Sequence, residues 1–344
     1  MQHKTHMGVN FREIIEYENI NIKDLAGKTI VVDGHNTLYQ FLSNIRSRDG
    51  GLLTDSQGNV TSHLIGLFAR TTKLMQTGIK LAFVFDGKPP AIKHAELEKR
   101  TELKKQAAQK YEEALEAEDE QAMQKYAART SKLTKEMVQH AKNLLDALGI
   151  PYIQAPSEGE AQASYIVKQG HAWAVASQDY DSLLYGTPRL IQNLSIEGKK
   201  KQPGKFMYKT VEPKLINLAE NLKKLELTKE QLIWLSLLVG NDYAPKGVKG
   251  IGPKKGLELV KKHKTADSLF AEVTLEDDVD WKEVISTFEH MPVEKNYDLT
   301  WKNINKEKTV EVLVEKHDFD LERVKKRLDE LTPKVQQKGL RGWF

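Results

Sequence analysis

The chain of 344 residues contains no cysteine. Disulfides and thiolate metal sites are therefore excluded, and any bound metal must use carboxylates, imidazoles, carbonyls or water. Long hydrophobic runs are also missing. The most apolar stretch, Leu232 to Val239, is far shorter than the roughly 20 residues that cross a bilayer, and mean hydropathy is −0.53. Met1 to His6 has no apolar segment of the kind a secretory signal requires. The expectation is a protein without membrane contact that stays where it is made, cytoplasmic, or nuclear if eukaryotic. Neither sign of charge dominates: 52 lysines and arginines against 48 acids leave a net +4, which permits a polyanionic partner without announcing one. The length allows one large domain or two.

What is present is a set of acids at the ends of apolar segments. Pro156 to Tyr185 reads PSEGEAQASYIVKQGHAWAVASQDYDSLLY. Ser157 to Glu160 fits a capping box, Ser157 as N-cap and Glu160 three residues on, opening a helix over Ala161 to Gln169. Acids in a first turn also suit the helix dipole, so Glu158 and Glu160 have a purely structural reading as well. His171 to Ser177 reads as a strand, and Asp179 and Asp181 fall beyond its carboxyl end, where open α/β sheets bind ligands. If Gln178 to Asp181 stays extended, both aspartates share a face.

The same pattern occurs twice earlier. Lys28 to Val32 is an apolar strand ending on Asp33, and Lys80 to Phe85 is another ending on Asp86. One such aspartate often does no more than cap the next helix. Three strands that each run into aspartate argue for a parallel sheet that gathers acids. Ile150 to Ile153 and Arg189 to Asn193 read as further strands, and Gly198 to Gly204 as a basic turn. From Ala91 to Leu148 neither glycine nor proline occurs. Glu96 to Arg129 lacks a wide apolar stripe, so this helical stretch should stand away from the globule. Lys93 and Arg100 lie on one side of it.

Thr228 to Val239 is an apolar helix ending at Gly240-Asn241-Asp242-Tyr243, and GVKGIGPKKG follows, leading into a second helix to His263. Two helices joined this way, with Pro253 suited to the first helical position, describe a helix-hairpin-helix over about 232–263. Gly247, Gly250 and Gly252 let the backbone approach a partner, and Lys249, Lys254 and Lys255 add charge where a phosphate would lie. Asp267 to Leu331 reads as helices, with Trp281 and Trp301 as core residues. The tail ends Gln337-Lys338-Gly339-Leu340-Arg341-Gly342-Trp343-Phe344. Its aromatics either fold back or fill another protein's groove.

Asp33, Asp86, Glu158, Glu160, Asp179, Asp181 and Asp242 cannot all stay ionised together without cations. Oxygen-only ligands favour Mg²⁺, with Mn²⁺ as a substitute. Two such ions about 4 Å apart can generate a hydroxide nucleophile and hold the leaving oxygen of a phosphodiester. Lys93 and Arg100 would neutralise charge on the phosphoryl oxygens.

VVDGHNTLYQFL, FVFDGKPP, SEGEAQASY, ASQDYDSLLYG, GNDY and GVKGIGPKKG resemble the motifs of the flap endonucleases, structure-specific 5′ nucleases, in their archaeal form, over about Met7 to Phe344. The resemblance implies an α/β fold in which a central, twisted, mostly parallel sheet is flanked by helices, with a helical arch and the DNA-binding hairpin. It implies a nuclease core over 7–331, the N region at 7–110, the arch at about 91–135, an I region at about 136–265, a helical part at 266–331 and a clamp-binding tail at 332–344. It implies a monomer that cuts 5′ flaps from branched DNA in replication, during Okazaki fragment maturation, and in repair, with 5′→3′ exonuclease activity. By motif, Asp33, Asp86, Glu158 and Glu160 resemble the ligands of one Mg²⁺ and Asp179, Asp181 and Asp242 those of a second. Lys93 and Arg100 match the catalytic basic pair, and Tyr39 the aromatic that stacks on a base near the scissile phosphate. The hairpin resembles one that grips duplex phosphates with a K⁺ ion. Gln337, Leu340, Trp343 and Phe344 match the peptide that docks on the sliding clamp, PCNA. Such relatives usually begin Met-Gly with that glycine near the site, here Gly8, whereas six residues precede Met7. The short interval from Asp86 to Glu158 argues against relatives with a long insert there.

Two other readings compete. A catalytically silent, clamp-tethered DNA-binding adaptor would bind DNA regardless of EDTA, but leaves seven acids facing a polyanion without purpose. A ribonuclease of a related acidic-site fold would not need the hairpin.

Overall fold

The structure, a computed structural model, describes residues 8–331 except 48–49, 118, 120–121, 124–125, 127–129, 195–197, 202–207 and 277–278. Gln337, Leu340, Trp343 and Phe344 lie outside the described residues, as does the segment before Gly8. The strands are β1 (Glu18–Asn19), β2 (Thr29–Asp33), β3 (Lys80–Phe85), β4 (Tyr152–Gln154), β5 (Ala174–Ala176), β6 (Arg189–Gln192), β7 (Gly198–Lys201), β8 (Tyr208–Val211) and β9 (Lys214–Asn217). Seven of them make one sheet in the order β1-β9-β6-β5-β2-β3-β4. β4, β3, β2, β5 and β6 run parallel, while β9 pairs antiparallel with β6 and β1 antiparallel with β9. The mostly parallel sheet expected from the sequence is the observed one.

Helices cover both faces, which is why the central strands are apolar on every residue rather than on alternate ones. Val31, Val84, Ile153 and Val175 turn to one face, where they pack with α5 (Gly159–Lys168), α8 (Lys229–Val239) and α11 (Trp281–Glu289). Ile30, Val32, Phe83 and Phe85 turn to the other, against α1 (Gly34–Asn44), α2 (Ser62–Gln76), α4 (Lys135–Ala147) and α13 (Leu321–Leu331). The chain also forms α3 (His94–Glu116), α6 (Asp181–Leu184), α7 (Leu218–Leu225), α9 (Pro253–Lys262), α10 (Ala266–Glu272) and α12 (Lys306–Val310). Trp281 stacks on Phe270, and the Trp301 indole donates to the Leu81 carbonyl at 2.7 Å, both structural roles. Among the described residues no helix is long and apolar enough to cross a membrane.

Three local expectations are corrected. Ser157 does not cap α5: the N-cap is Glu158 without a side-chain bond, and the Gly159 N–H instead donates to Asp86 Oδ1 at 2.7 Å. Ser157 is drawn away by the Lys88 carbonyl at 3.0 Å. Gln178 to Asp181 is bent rather than extended, because α6 already begins at Asp181. Gly198 to Gly204 opens with strand β7, antiparallel to β8. Its Gly-Lys-Lys-Lys sequence has little strand preference of its own, and its pairing partner Tyr208–Val211 is the better strand former.

α3 is 23 residues long, about 34 Å at helical rise. It leaves Leu103 and Leu115 exposed, while Ala107 and Ala114 are buried and Lys104 reaches Tyr39 of α1, in keeping with its narrow apolar stripe. The hairpin is also formed. α8 starts at a capping box of Thr228 and Gln231 and stops at Gly240, at φ 103°. Gly252 is the N-cap of α9 and Pro253 its first residue. A Cβ on Gly256 would stand 2.7 Å from Leu235 Cδ1, so glycine sets the distance between the two helices. Gly250 and Gly252 face open space, and Lys249, Lys254 and Lys255 are exposed beside them.

Candidate active site

Because β4, β3, β2 and β5 are parallel neighbours, their carboxyl ends share one edge of the sheet. Asp33 is the last residue of β2, Asp86 follows β3, Glu158 and Glu160 follow β4 at the start of α5, and Asp179 and Asp181 follow β5. Asp242 arrives after α8. Hydroxyl and amide groups tie these acids together. Ser177 Oγ lies 3.2 Å from Asp33 Oδ2 and 3.3 Å from Glu160 Oε1, and Ser182 Oγ donates to the same glutamate oxygen at 3.3 Å. Asp33 Oδ1 also accepts from the Asn36 N–H at 3.0 Å, capping α1, so the capping reading and the site reading are both true of it. The Val9 N–H donates to Asp181 Oδ1 at 3.0 Å and the Gly8 N–H to Asp242 Oδ1 at 3.1 Å. Gly8, at φ 74°, has no room for a side chain: a Cβ there would come within 2.5 Å of Asp181 Oδ2.

Burial and mutual repulsion govern the charge state. Burial, then the neighbouring Asp86, pushes Asp33 up to about 7, and burial with Asp242 pushes Asp181 up to about 7. Glu160 is raised well above the ordinary range by burial, Asp181 and Asp33, and Asp179 by burial, Asp181 and Asp33. Glu158 is raised by burial against the pull of Lys93. Asp242 goes down, because Lys93 and Arg100 outweigh the cost of its burial. Lys93 Nζ sits 2.8 Å from Glu158 and 2.9 Å from Asp242, and Arg100 donates to Asp242 at 2.7 Å and to Glu96 at 3.0 Å. Both cations are raised in pKa, burial being outweighed chiefly by Asp242. Two cations thus stand among seven carboxylates, and like charges at this density hold protons unless further positive charge arrives.

The donor set is all oxygen, which fits a hard divalent ion. Among the described residues no three aspartate, glutamate or histidine side chains already form a cation cage. As they stand, Lys93 and Arg100 take up oxygens of Glu158 and Asp242. Tyr39 is not part of this network: it lies under Lys104, whose Nζ is 4.9 Å from its ring centroid.

The chain matches the XPG N-terminal domain over residues 7–107 and the XPG I-region over residues 149–242. It is 52% identical to flap endonuclease 1 of Staphylothermus marinus, over 98% of this chain and 100% of that one. Against flap endonuclease 1 of Pyrococcus abyssi it is 50% identical, covering 98% of each. The chain belongs to the flap endonuclease family. The solved flap endonuclease-1 of Methanococcus jannaschii superimposes with a TM-score of 0.74 at 42% identity, over 94% of this chain and 98% of that one. The catalytic core of Rad2 in complex with DNA substrate shares the fold, with a TM-score of 0.70 at 22% identity, over 94% of this chain and all of that one.

Within this flap endonuclease fold, several residues at the site fall outside the sequence expectations. Ser177 bridges Asp33 and Glu160; its place two residues before Asp179 was the available signal. His35 Nδ1 accepts from the Asp86 N–H at 3.0 Å and lies 3.4 Å from Asp86 Oδ2. Asn36 donates through Nδ2 to Asp179 Oδ2 at 2.5 Å, across a sequence separation of 143 residues. Asn241 accepts from the Tyr243 and Ala244 N–H groups, each at 2.9 Å, and so shapes the turn that presents Asp242.

Proposed function

We propose that the protein is a structure-specific 5′ flap endonuclease with associated 5′→3′ exonuclease activity, hydrolysing DNA phosphodiesters with Mg²⁺ to leave a 5′-phosphate and a 3′-hydroxyl. The observation that carries this reading is the crowding of buried and half-buried carboxylates beside half-buried Lys93 and Arg100 at the carboxyl edge of the sheet. Asp33, Asp86, Glu158, Glu160, Asp179, Asp181 and Asp242 would hold two divalent ions. When bound, these ions supply the activation of water and the stabilisation of the leaving oxygen that phosphodiester hydrolysis requires.

The chain's own residues do the rest. Lys93 and Arg100 reach the acids from the base of α3, and their release from Glu158 and Asp242 leaves both cations free to meet a phosphate entering from that side. The exposed lysines of the hairpin track duplex phosphates, with the backbone at Gly250 and Gly252 approaching closely and K⁺ as a further ligand of that turn, while Gly247, buried and bonded through both its N–H and its carbonyl, shapes the turn instead. Tyr39 offers a ring for a base near the scissile bond. The arch at about 91–135 takes the single-stranded flap, and Gln337, Leu340, Trp343 and Phe344 dock on a sliding clamp. The protein would act as a monomer in replication and repair.

The test is incision of a labelled double-flap DNA by wild type and Asp179→Ala, in Mg²⁺ and in EDTA. Cleavage near the junction, dependent on Mg²⁺ and lost in the variant, is expected. Cleavage by the variant at the wild-type rate overturns the site assignment. Tight binding by wild type without incision establishes the adaptor instead.

A further inference from the structure

Asn36 is the residue on which two of the acids converge from different strands. Its backbone N–H holds Asp33 Oδ1 at 3.0 Å, and its side-chain amide holds Asp179 Oδ2 at 2.5 Å. Asn36 is 8% exposed. The amide's own orientation is set one turn along α1, where Gln40 Nε2 donates to Asn36 Oδ1. An amide presents a donor on one end and an acceptor on the other, and Gln40 occupies the acceptor, so the donor must face Asp179. Apart from the backbone N–H groups of Gly8, Val9 and Gly159, the rest of the cluster holds carboxylates with charge, through Lys93 and Arg100, or with hydroxyls that can rotate. Asn36 is neutral and fixed by its own partner. Its bond need not break when positive charge enters the site, because it uses one lone pair of one oxygen and leaves the other oxygen of Asp179 open.

We propose that Asn36 is a positioning residue that presents Asp179 to the divalent ion, with Gln40 locking the amide in the productive orientation. The inference rests on the metal-dependent reading of the site. Groups that orient a ligand in this way typically govern metal affinity by about 10- to 100-fold.

The test is Mn²⁺ binding to the full chain by titration calorimetry and electron paramagnetic resonance without DNA, alongside the Mg²⁺ dependence of cleavage. Asn36→Ala should weaken at least one Mn²⁺ site by about tenfold and shift the Mg²⁺ midpoint of cleavage upward, with KM for the flap substrate changed less than about twofold. Gln40→Ala should move Mn²⁺ affinity in the same direction by a smaller factor, and it keeps the reasoning testable should Asn36→Ala fold poorly. Asn36→Asp, which sets a charge against Asp179, should be worse than alanine in cleavage at low Mg²⁺. Wild-type Mn²⁺ affinity in both Asn36→Ala and Gln40→Ala, with wild type binding normally, overturns the role of Asn36 alone. Failure of wild type itself to bind Mn²⁺ overturns both this role and the reading beneath it.

Discussion

Asp33→Asn should make the metal-free protein more stable at slightly alkaline pH while removing its activity. Asp33 keeps its proton in the folded chain up to about 7, against an ordinary 3.8. Between those two values unfolding releases a proton, so this residue's contribution to stability falls as pH rises and the penalty is complete above about pH 7. A rise of that size corresponds at most to about 4 kcal/mol, and relaxation and proton sharing among neighbouring acids reduce it to about 1–2 kcal/mol. Asparagine removes the charge but keeps the oxygen that accepts from the Asn36 N–H, so the cap of α1 survives. For a chain of this length the gain amounts to roughly 1–3 °C in Tm. Calorimetry in EDTA at about pH 8 and about pH 5 reads it. The variant should melt higher at the upper pH, and its advantage should shrink towards the lower, where wild-type Asp33 is itself neutral. An offset of the same size at both pH values, or a lower Tm for the variant at pH 8, refutes the reasoning that burial and the neighbouring acids hold a proton on Asp33 in the metal-free fold.

Other consequences are open to direct measurement. Arg100→Ala removes the 2.7 Å partner of Asp242; single-turnover cleavage should fall by about 10²- to 10³-fold, with flap binding much less affected. In Gly87→Ala a new Cβ would stand 2.2 Å from the Ala155 carbonyl, backbone that cannot swing aside; chemical denaturation should show a loss of about 1–3 kcal/mol. Lys249→Ala, on the exposed rim of the hairpin, should weaken duplex binding for all sequences alike and reduce the slope of log affinity against log salt by about 1. Deleting residues 337–344 should abolish stimulation by a sliding clamp while clamp-free cleavage continues at nearly the same rate.

The acids themselves were legible from the order of residue types. Packing alone gives an apolar strand no need to end on aspartate time after time, and once such strands are parallel their carboxyl ends must meet. The absence of cysteine limited what such a cluster could bind, and the glycine and lysine spacing after Val239 specified the hairpin, because Gly240 at φ 103° and Gly247, where a Cβ would stand 2.6 Å from the Leu238 carbonyl, leave almost no other residue possible. What the sequence did not contain was any pairing across distance. Ser157 looked like the cap of α5, yet Asp86, 73 residues away, satisfies that helix. Tertiary structure alone decided that Lys93 and Arg100 rest on Glu158 and Asp242, that Ser177 and Asn36 join acids from separate strands, and that Gly8 closes the cluster. The physical reason is that strand ends, caps and turns are set by local backbone preference, whereas a carboxylate's protonation state and its partners depend on which charges and donors folding brings within a few ångströms of it.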